Sequence, residues 1–548
     1  MTDNTKQTSS ELTNEDKMAR GSAWMTIGNI GSRLMGVIYI LPWYYWMGEY
    51  GDVGNALFNM GYNVYALFIM VSTAGIPAAI AKQVAYHNSR QEYRTSQRLF
   101  HRSLQAMAIL GLVSALIMYF AAPMLSQAAG GGVDLIPSMR SLSVAILVIP
   151  VMSVIRGYFQ GIQNIAPFAI SQLVEQVARV VYMLIATFMI MELGDGDYVA
   201  AVTQSTFGAF IGALAGTAIL IYYFRKEKIK MDILAEHSKE TGEVDTIKLL
   251  VSTVKEAIPF IILGAGLTIF KLVDQYTFVH TMSSFTEYSQ NQLIALMALF
   301  GGNPDKLSMV VIGLATSMAI VGMPLLTESY AKQDYAGMAK LVSNNLQLYA
   351  FVMLPATLGM MILAYPLNTM FYKPDQLGAN LLIAVCVSGL IQGLFMVTSM
   401  MLQGMYENGS AVLFFVIGLA VKLATQSVCI HTLEVYGPIV STTLGMGVTC
   451  YLNLWKIHKK TRFNMSLTWK RTALITVMTA IMVAFAGVTK FGLEMFLNPD
   501  SKVQSFLIIL IVAGVGVLVY VYIALKLRLA DKLLGSGMAR FRRKLHIK

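Results

Sequence analysis

Six ionisable residues stand deep inside long apolar runs of this sequence: Arg33, Glu175, Arg179, Lys271, Asp274 and Lys422. An ionisable side chain at mid-bilayer costs roughly 2.5–3.5 kcal/mol on insertion scales, so it normally faces a partner or a water-filled cavity. Glu175 precedes Arg179 by four residues and Asp274 follows Lys271 by three, and both spacings put the two groups on one helix face. Such pairs read either as closed ion pairs facing protein or as cavity cations held and released by their acids. Arg33 and Lys422 have no such acid beside them, which leaves a structural bond to backbone carbonyls or contact with a ligand. Even with both pairs neutralised, two positive charges remain. Four separate burials would cost on the order of 10–14 kcal/mol. A solvated central cavity with an anionic cargo relieves that cost most directly, and the planar guanidinium fork suits phosphate.

The elements that must carry these groups follow from composition. The chain has 548 residues, of which 56% are hydrophobic and 13% charged, with a mean hydropathy of +0.59. Soluble domains carry about 25% charged residues, so a water-soluble assembly, a disordered chain and a collagen-like chain are excluded. A bilayer core of about 30 Å needs about 20 apolar residues in a helix. By that measure there are fourteen spans, an all-α polytopic membrane protein: near 21–46, 55–81, 103–124, 139–159, 166–191, 199–224, 256–281, 307–330, 341–365, 378–404, 409–430, 436–455, 472–492 and 503–525. The polar Met1 to Asp16 stretch is not a cleavable signal.

Loop charge tests this count. With the N-terminus inside, the segments on the cytoplasmic side hold 31 of the 41 basic residues, while Lys306, Lys373, Lys490 and Lys502 fall outside. That is the positive-inside bias, and it puts both termini in the cytoplasm. It also accounts for most of the net charge of +11, so no nucleic-acid partner is expected. Arg156 lies near the inner end of its span and is expected to snorkel, and Lys82 and Glu328 also lie near inner ends. Trp43-Tyr44-Tyr45-Trp46 reads as an interfacial aromatic belt. The basic C-terminal run Arg540-Phe541-Arg542-Arg543-Lys544 reads as a headgroup contact or a solvated tail.

The polar stretch from Arg225 to Val254 divides six spans from eight and invites a search for duplication. Ala74-Gly75-Ile76-Pro77 leading into Ala81-Lys82-Gln83 is echoed by Val321-Gly322-Met323-Pro324 leading into Ala331-Lys332-Gln333. Tyr158-Phe159-Gln160-Gly161 recurs as Met401-Leu402-Gln403-Gly404, and in that register Arg179 falls opposite Lys422. The expected organisation is a tail (1–20), an N-lobe of six spans (21–224), a linker (225–255), a C-lobe of six spans (256–455), two further spans with a basic loop (456–525) and a basic tail (526–548). An even number of spans per repeat relates the lobes by an axis along the membrane normal.

No Walker loop, GxSxG elbow, HExxH or DxD-type cluster is present, which argues against an enzyme. Cys386, Cys429 and Cys450 lie in apolar runs without metal-ligand spacing and read as core residues. No cofactor or metal is expected, and uphill work would draw on an ion gradient or the membrane potential. The sequence sets no oligomeric state.

These features resemble the MOP exporter superfamily, and within it the polysaccharide-transporter and MurJ/SpoVB/YtgP-like branch of bacterial lipid-linked flippases. The residues that carry the resemblance are Ser32-Arg33-Leu34-Met35-Gly36, Gly75-Ile76-Pro77, Leu272-Val273-Asp274-Gln275 and Gly322-Met323-Pro324-Leu325. The resemblance implies a V-shaped two-lobed fold that alternates access in the bacterial plasma membrane. It also implies a cationic cavity for a diphosphate-sugar headgroup and a groove beside the last two spans for a polyprenyl tail. On that analogy Arg33 contacts the headgroup phosphates. Tyr39 stands where the family has a second arginine, and Ile69-Met70 where it has a pair. The leading expectation is therefore a flippase for a polyprenyl-diphosphate-linked sugar, lipid II foremost, with Arg33, Arg179, Lys271 and Lys422 on the pyrophosphate and Glu175 and Asp274 as their charge partners. The alternatives are an ion-coupled multidrug or solute exporter and a membrane scaffold that moves nothing. Lys82-Gln83-Val84-Ala85-Tyr86-His87 does not match a major-facilitator signature, and a cationic-drug exporter would need an acidic cavity.

Overall fold

The computed structural model describes residues 35–36, 38–73, 76–162, 164–236, 238 and 258–534, and among them the regular elements are all helices. The first half of the chain contributes α1 (Ile40–Met47), α2 (Gly51–Thr73), α3 (Ile76–Ser89), α4 (Tyr93–Ala128), α5 (Leu135–Gly161), α6 (Ala166–Met191) and α7 (Tyr198–Glu236). The second half opens with a bent pair, α8 (Ile258–Gly264) and α9 (Gly266–Ser283). It continues with α10 (Gln290–Met297), α11 (Asn303–Ala331), α12 (Tyr335–Ile362), α13 (Ala364–Phe371), α14 (Gln376–Gly404), α15 (Asn408–Leu433) and α16 (Gly437–Thr461), followed by α17 (Met465–Glu494), α18 (Lys502–Lys526) and α19 (Leu529–Leu534).

The molecule is a polytopic membrane protein. Among the described residues nine helical runs are long and apolar enough to cross a membrane, or ten if the bent pair is one span. One of them, the 54-residue run Asn408–Thr461, turns back at Glu434, whose φ is +48°. Its two arms, α15 and α16, therefore lie side by side. They approach so closely that a Cβ on Gly445 would stand 2.5 Å from the Gly418 carbonyl oxygen. Only glycine fits there.

The structure adds detail to three sequence expectations. The segment near 256–281 is not one straight span but is bent by 52° between α8 and α9. Gly266, at the break, sits against the Phe395 ring, where a Cβ would come within 2.9 Å. The linker expected from Arg225 begins as helix, because α7 runs on to Glu236; its lysines, glutamates, methionine and leucine are strong helix formers. The aromatic belt is also only partly interfacial. Tyr45 is exposed, but Trp43 and Tyr44 are buried, and the Trp43 indole donates to Ser205 Oγ at 2.9 Å.

Burial divides the core unevenly. One apolar cluster draws on both halves of the chain, from Tyr39, Trp43, Met60 and Leu135 to Phe278, Leu293, Phe371 and Ile439. A second lies within the second half, around Phe270, Phe395, Phe415 and Phe463. A third lies within the first half, around Phe100, Tyr158 and Phe159. Among the described residues the halves thus share a core at one end of the bundle and keep separate cores toward the other. A further cluster joins α17 and α18 to α12 through Phe351, Met482 and Tyr520.

At the end with separate cores, the α14–α15 turn is clasped to the end of α16. Lys460 Nζ reaches Glu407 Oε1 at 2.8 Å, and Lys456 Nζ reaches Oε2 at 3.3 Å. Burial alone would raise the Glu407 carboxyl, but hydrogen bonds from Lys460, Ser410 and Lys456 outweigh it and hold it below the usual carboxylate range. A depressed carboxylate adds stability that is full above its unfolded value of about 4.3 and is lost as pH falls through the folded value. Thermal unfolding of Glu407→Gln is therefore expected below that of the parent at neutral pH, with the two midpoints converging in acid. Parallel curves at all pH values would remove the clasp from the account.

Candidate functional site

The in-membrane charges find partners other than those their spacing suggests. Lys422, on α15, is fully buried. Its ammonium donates to Asp274 Oδ1 on α9 at 2.6 Å and to Thr442 Oγ1 on α16 at 2.6 Å, above the Phe270 ring. Gln426 Nε2 donates to the same carboxylate oxygen at 2.9 Å. Asp274 is thus taken by Lys422 rather than by its helix neighbour Lys271, and the expectation that Lys422 lacks an acid is corrected. The bend between α8 and α9 and the close α15–α16 contact bring three helices to one point, which no spacing along α9 could reveal. Lys271 instead pairs with Asp305 in the first turn of α11, and both groups remain partly exposed.

In the first half, Glu175 does not close on Arg179. Arg156 of α5 donates to Glu175 Oε2 at 2.7 Å and to Ser171 Oγ at 3.0 Å, so it bonds between helices instead of snorkelling. Arg179 then reaches α2. Its Nη1 donates to the Tyr62 hydroxyl at 3.2 Å, and its guanidinium lies 5.0 Å from the centroid of that ring. Among the described residues no carboxylate pairs with it. Arg33 lies outside the described residues.

Several functional candidates were missed by sequence reasoning. On α2, Asp52, Asn55, Asn59 and Asn63 recur at spacings of three, four and four. That helical stripe of polar groups on an apolar span was the signal available, since amides in a membrane must face protein or water. The stripe meets the second half. Asn55 Nδ2 donates to Asn303 Oδ1 at 2.5 Å and Asn63 Nδ2 to Gln275 Oε1 at 3.1 Å. Asp52 accepts from Tyr44, from Asn303 at 3.2 Å and from Lys373. The Tyr372 hydroxyl donates to the Asn303 carbonyl at 2.6 Å, and the Tyr372 and Tyr44 rings meet edge to face at 5.1 Å. Lys306, expected in an outer loop, sits in the first turn of α11. It donates to the Tyr39 hydroxyl and stands 4.8 Å from the Phe58 ring centroid.

These contacts close one end of the interface between the halves. Beneath them lies a cavity of about 60 Å³, lined by Asn59 and Asn63, by Lys271 and Asp274, by Asp305, and by Ser388, Gln392 and Thr442. It has room for a few waters. Of the six sequence-derived site residues, Lys271 and Asp274 face this cavity. Lys422 lies behind Asp274, while Glu175 and Arg179 stand apart on α6. Among the described residues, Arg179 does not join Lys271 and Lys422 in one cluster.

A bent-helix bundle with a cavity between two halves that meet at one end, mainly apolar but set with amides and compensated charges, defines a transporter architecture. Its fold is shared with the inward closed conformation of a lipid II flippase MurJ (TM-score 0.64, 14% identity, covering 93% of this chain and 99% of that one). It is also shared with the inward-facing conformation of a multidrug resistance MATE family transporter of the MOP superfamily (TM-score 0.63, 15% identity, covering 80% of this chain and 96% of that one). Residues 18–330 match the family described as polysaccharide biosynthesis protein, and the chain belongs to it. Within that family it is similar over nearly its whole length to the lipid II flippase MurJ of Bacillus subtilis (strain 168), with 31% identity over 542 residues, covering 96% of this chain and 98% of that protein.

Proposed function

We propose that this protein is a flippase that carries an anionic, lipid-linked cell-wall precursor, lipid II foremost, across the bacterial plasma membrane by alternating access. The full-length similarity to the lipid II flippase of Bacillus subtilis supports the cargo. The observation that carries the mechanism is the one-sided closure. Polar and aromatic contacts join the halves at Asp52, Asn303, Lys373 and Tyr372, while among the described residues the cores toward the opposite end are separate.

In this reading the chain has fourteen spans, six in each lobe and two appended, with both termini cytoplasmic and the sealed end outward. Two cations at this interface, Arg179 and Lys306, meet hydroxyls and rings rather than carboxylates among the described residues. They flank a row on α2 where Phe58 and Tyr62 stack at 5.9 Å. A diphosphate entering between the lobes finds its charge there, with Arg33 as a further phosphate contact carried from the family. Lys271 and Lys422 are already neutralised, so they hold the lobe together and shape the cavity rather than supply free charge. Net positive charge along this row also disfavours export of cationic drugs.

In cells depleted of their own lipid II flippase, this protein should restore growth and return the lipid II headgroup to the outer face, read by accessibility to an impermeant headgroup-modifying reagent. Failure to restore either, at normal membrane levels of the protein, overturns the proposal.

A further inference from the structure

The lipid-linked reading leaves open where the sugar goes, and α2 bears two rows that bear on this. Phe58 and Tyr62 form the row flanked by Arg179 and Lys306. Asn59 and Asn63 follow them by one residue each, about 100° further round the helix, and line the cavity. The two rows differ in charge. Among the described residues every charge lining the cavity is compensated, Lys271 by Asp305 and Asp274 by Lys422. A diphosphate would find no net attraction there and would lose its hydration.

The neutral groups are of another kind. Gln392 spends one N–H on Ser388 Oγ at 3.1 Å, and Asn63 spends one on Gln275. An amide carries two N–H donors and an acceptor oxygen, so among the described residues each keeps a donor and a carbonyl for a ligand. Amides and hydroxyls set in a small, mainly apolar cavity recognise hydroxyl and acylamino groups on an otherwise apolar edge. We infer that this cavity takes the neutral, hydroxyl- and acetamido-bearing edge of the cargo's sugar, while the phosphates bonded to that sugar stay on the adjacent aromatic row. The volume of about 60 Å³ fits an edge rather than a whole saccharide, and the edge displaces the few waters it can hold. The proposal rests on the lipid-linked reading and adds to it a sugar-selective contact on the second lobe.

The test uses the full chain in lipid nanodiscs and two probes, a polyprenyl diphosphate without sugar and the same lipid bearing an N-acetylhexosamine. The parent protein should bind the sugar-bearing lipid about tenfold more tightly, the scale of one or two hydrogen bonds. Gln392→Leu should bring the two affinities within about twofold while leaving the bare lipid unchanged, and Ser388→Ala should act in the same direction. An unchanged ratio in both variants, or equal weakening of both lipids, overturns the sugar contact and leaves the flippase reading standing. If the parent binds neither lipid, the flippase reading falls and this inference falls with it.

Discussion

Arg179→Leu should abolish rescue of a flippase-depleted strain while the protein accumulates in the membrane at the parent level. The expectation follows from what Arg179 touches. Its guanidinium bonds the Tyr62 hydroxyl and lies over that ring, so its removal orphans no buried acid. The structural loss is one charge-assisted hydrogen bond to a hydroxyl and a cation–π contact, about 2–4 kcal/mol together. The functional loss is larger. Charge-assisted bonds are worth about 1.5–3 kcal/mol each, so two of them to a phosphate convert to roughly a hundredfold or more in transport. Arg179→Lys keeps the charge but loses the planar fork and should fall between. Growth of the leucine variant at the parent rate would remove Arg179 from the cargo site.

Lys422→Ala is expected to have the opposite character, destabilising the fold before it touches transport. The ammonium is fully buried and holds Asp274 and Thr442 across three helices. Breaking such a pair from one side leaves an uncompensated carboxylate and costs about 3–5 kcal/mol. The variant should show a lowered unfolding temperature in detergent and poor membrane accumulation. Neutralising both ends, as in Asp274→Asn with Lys422→Met, should recover much of the loss, because replacing a buried pair by neutral groups of similar volume is often nearly neutral. Additive losses in the double variant would show that the two side chains act independently and would sink the pairing as a stabilising unit.

The contrast between these two variants shows how much of the site was legible. That Arg179 and Lys422 matter could be read from the chain, because a charge far inside an apolar run is costly wherever it ends up. Their different tasks could not. In the repeat register they fall opposite one another, yet one meets a tyrosine and the other a carboxylate. Spacing suggested Lys271 for Asp274 and Arg179 for Glu175, and the structure supplies Lys422 and Arg156 instead. Helix neighbours are always available, but a group from an adjacent helix with better geometry displaces them. The amide stripe on α2 was present in the sequence at helical spacing and went unread because its members carry no charge.

What the chain determined by itself is its solvent, its helical class and the bias of its basic loops, together with the presence of charge where lipid forbids it. These are properties of segments of about 20 residues, and each is decided by local transfer free energy whatever the rest of the fold does. What only the tertiary structure decided is which charges cancel and which stay available. That choice depends on atoms far apart in sequence coming within about 3 Å, through the bend before α9, the glycine contact of α15 with α16, and the meeting of α2 with α11.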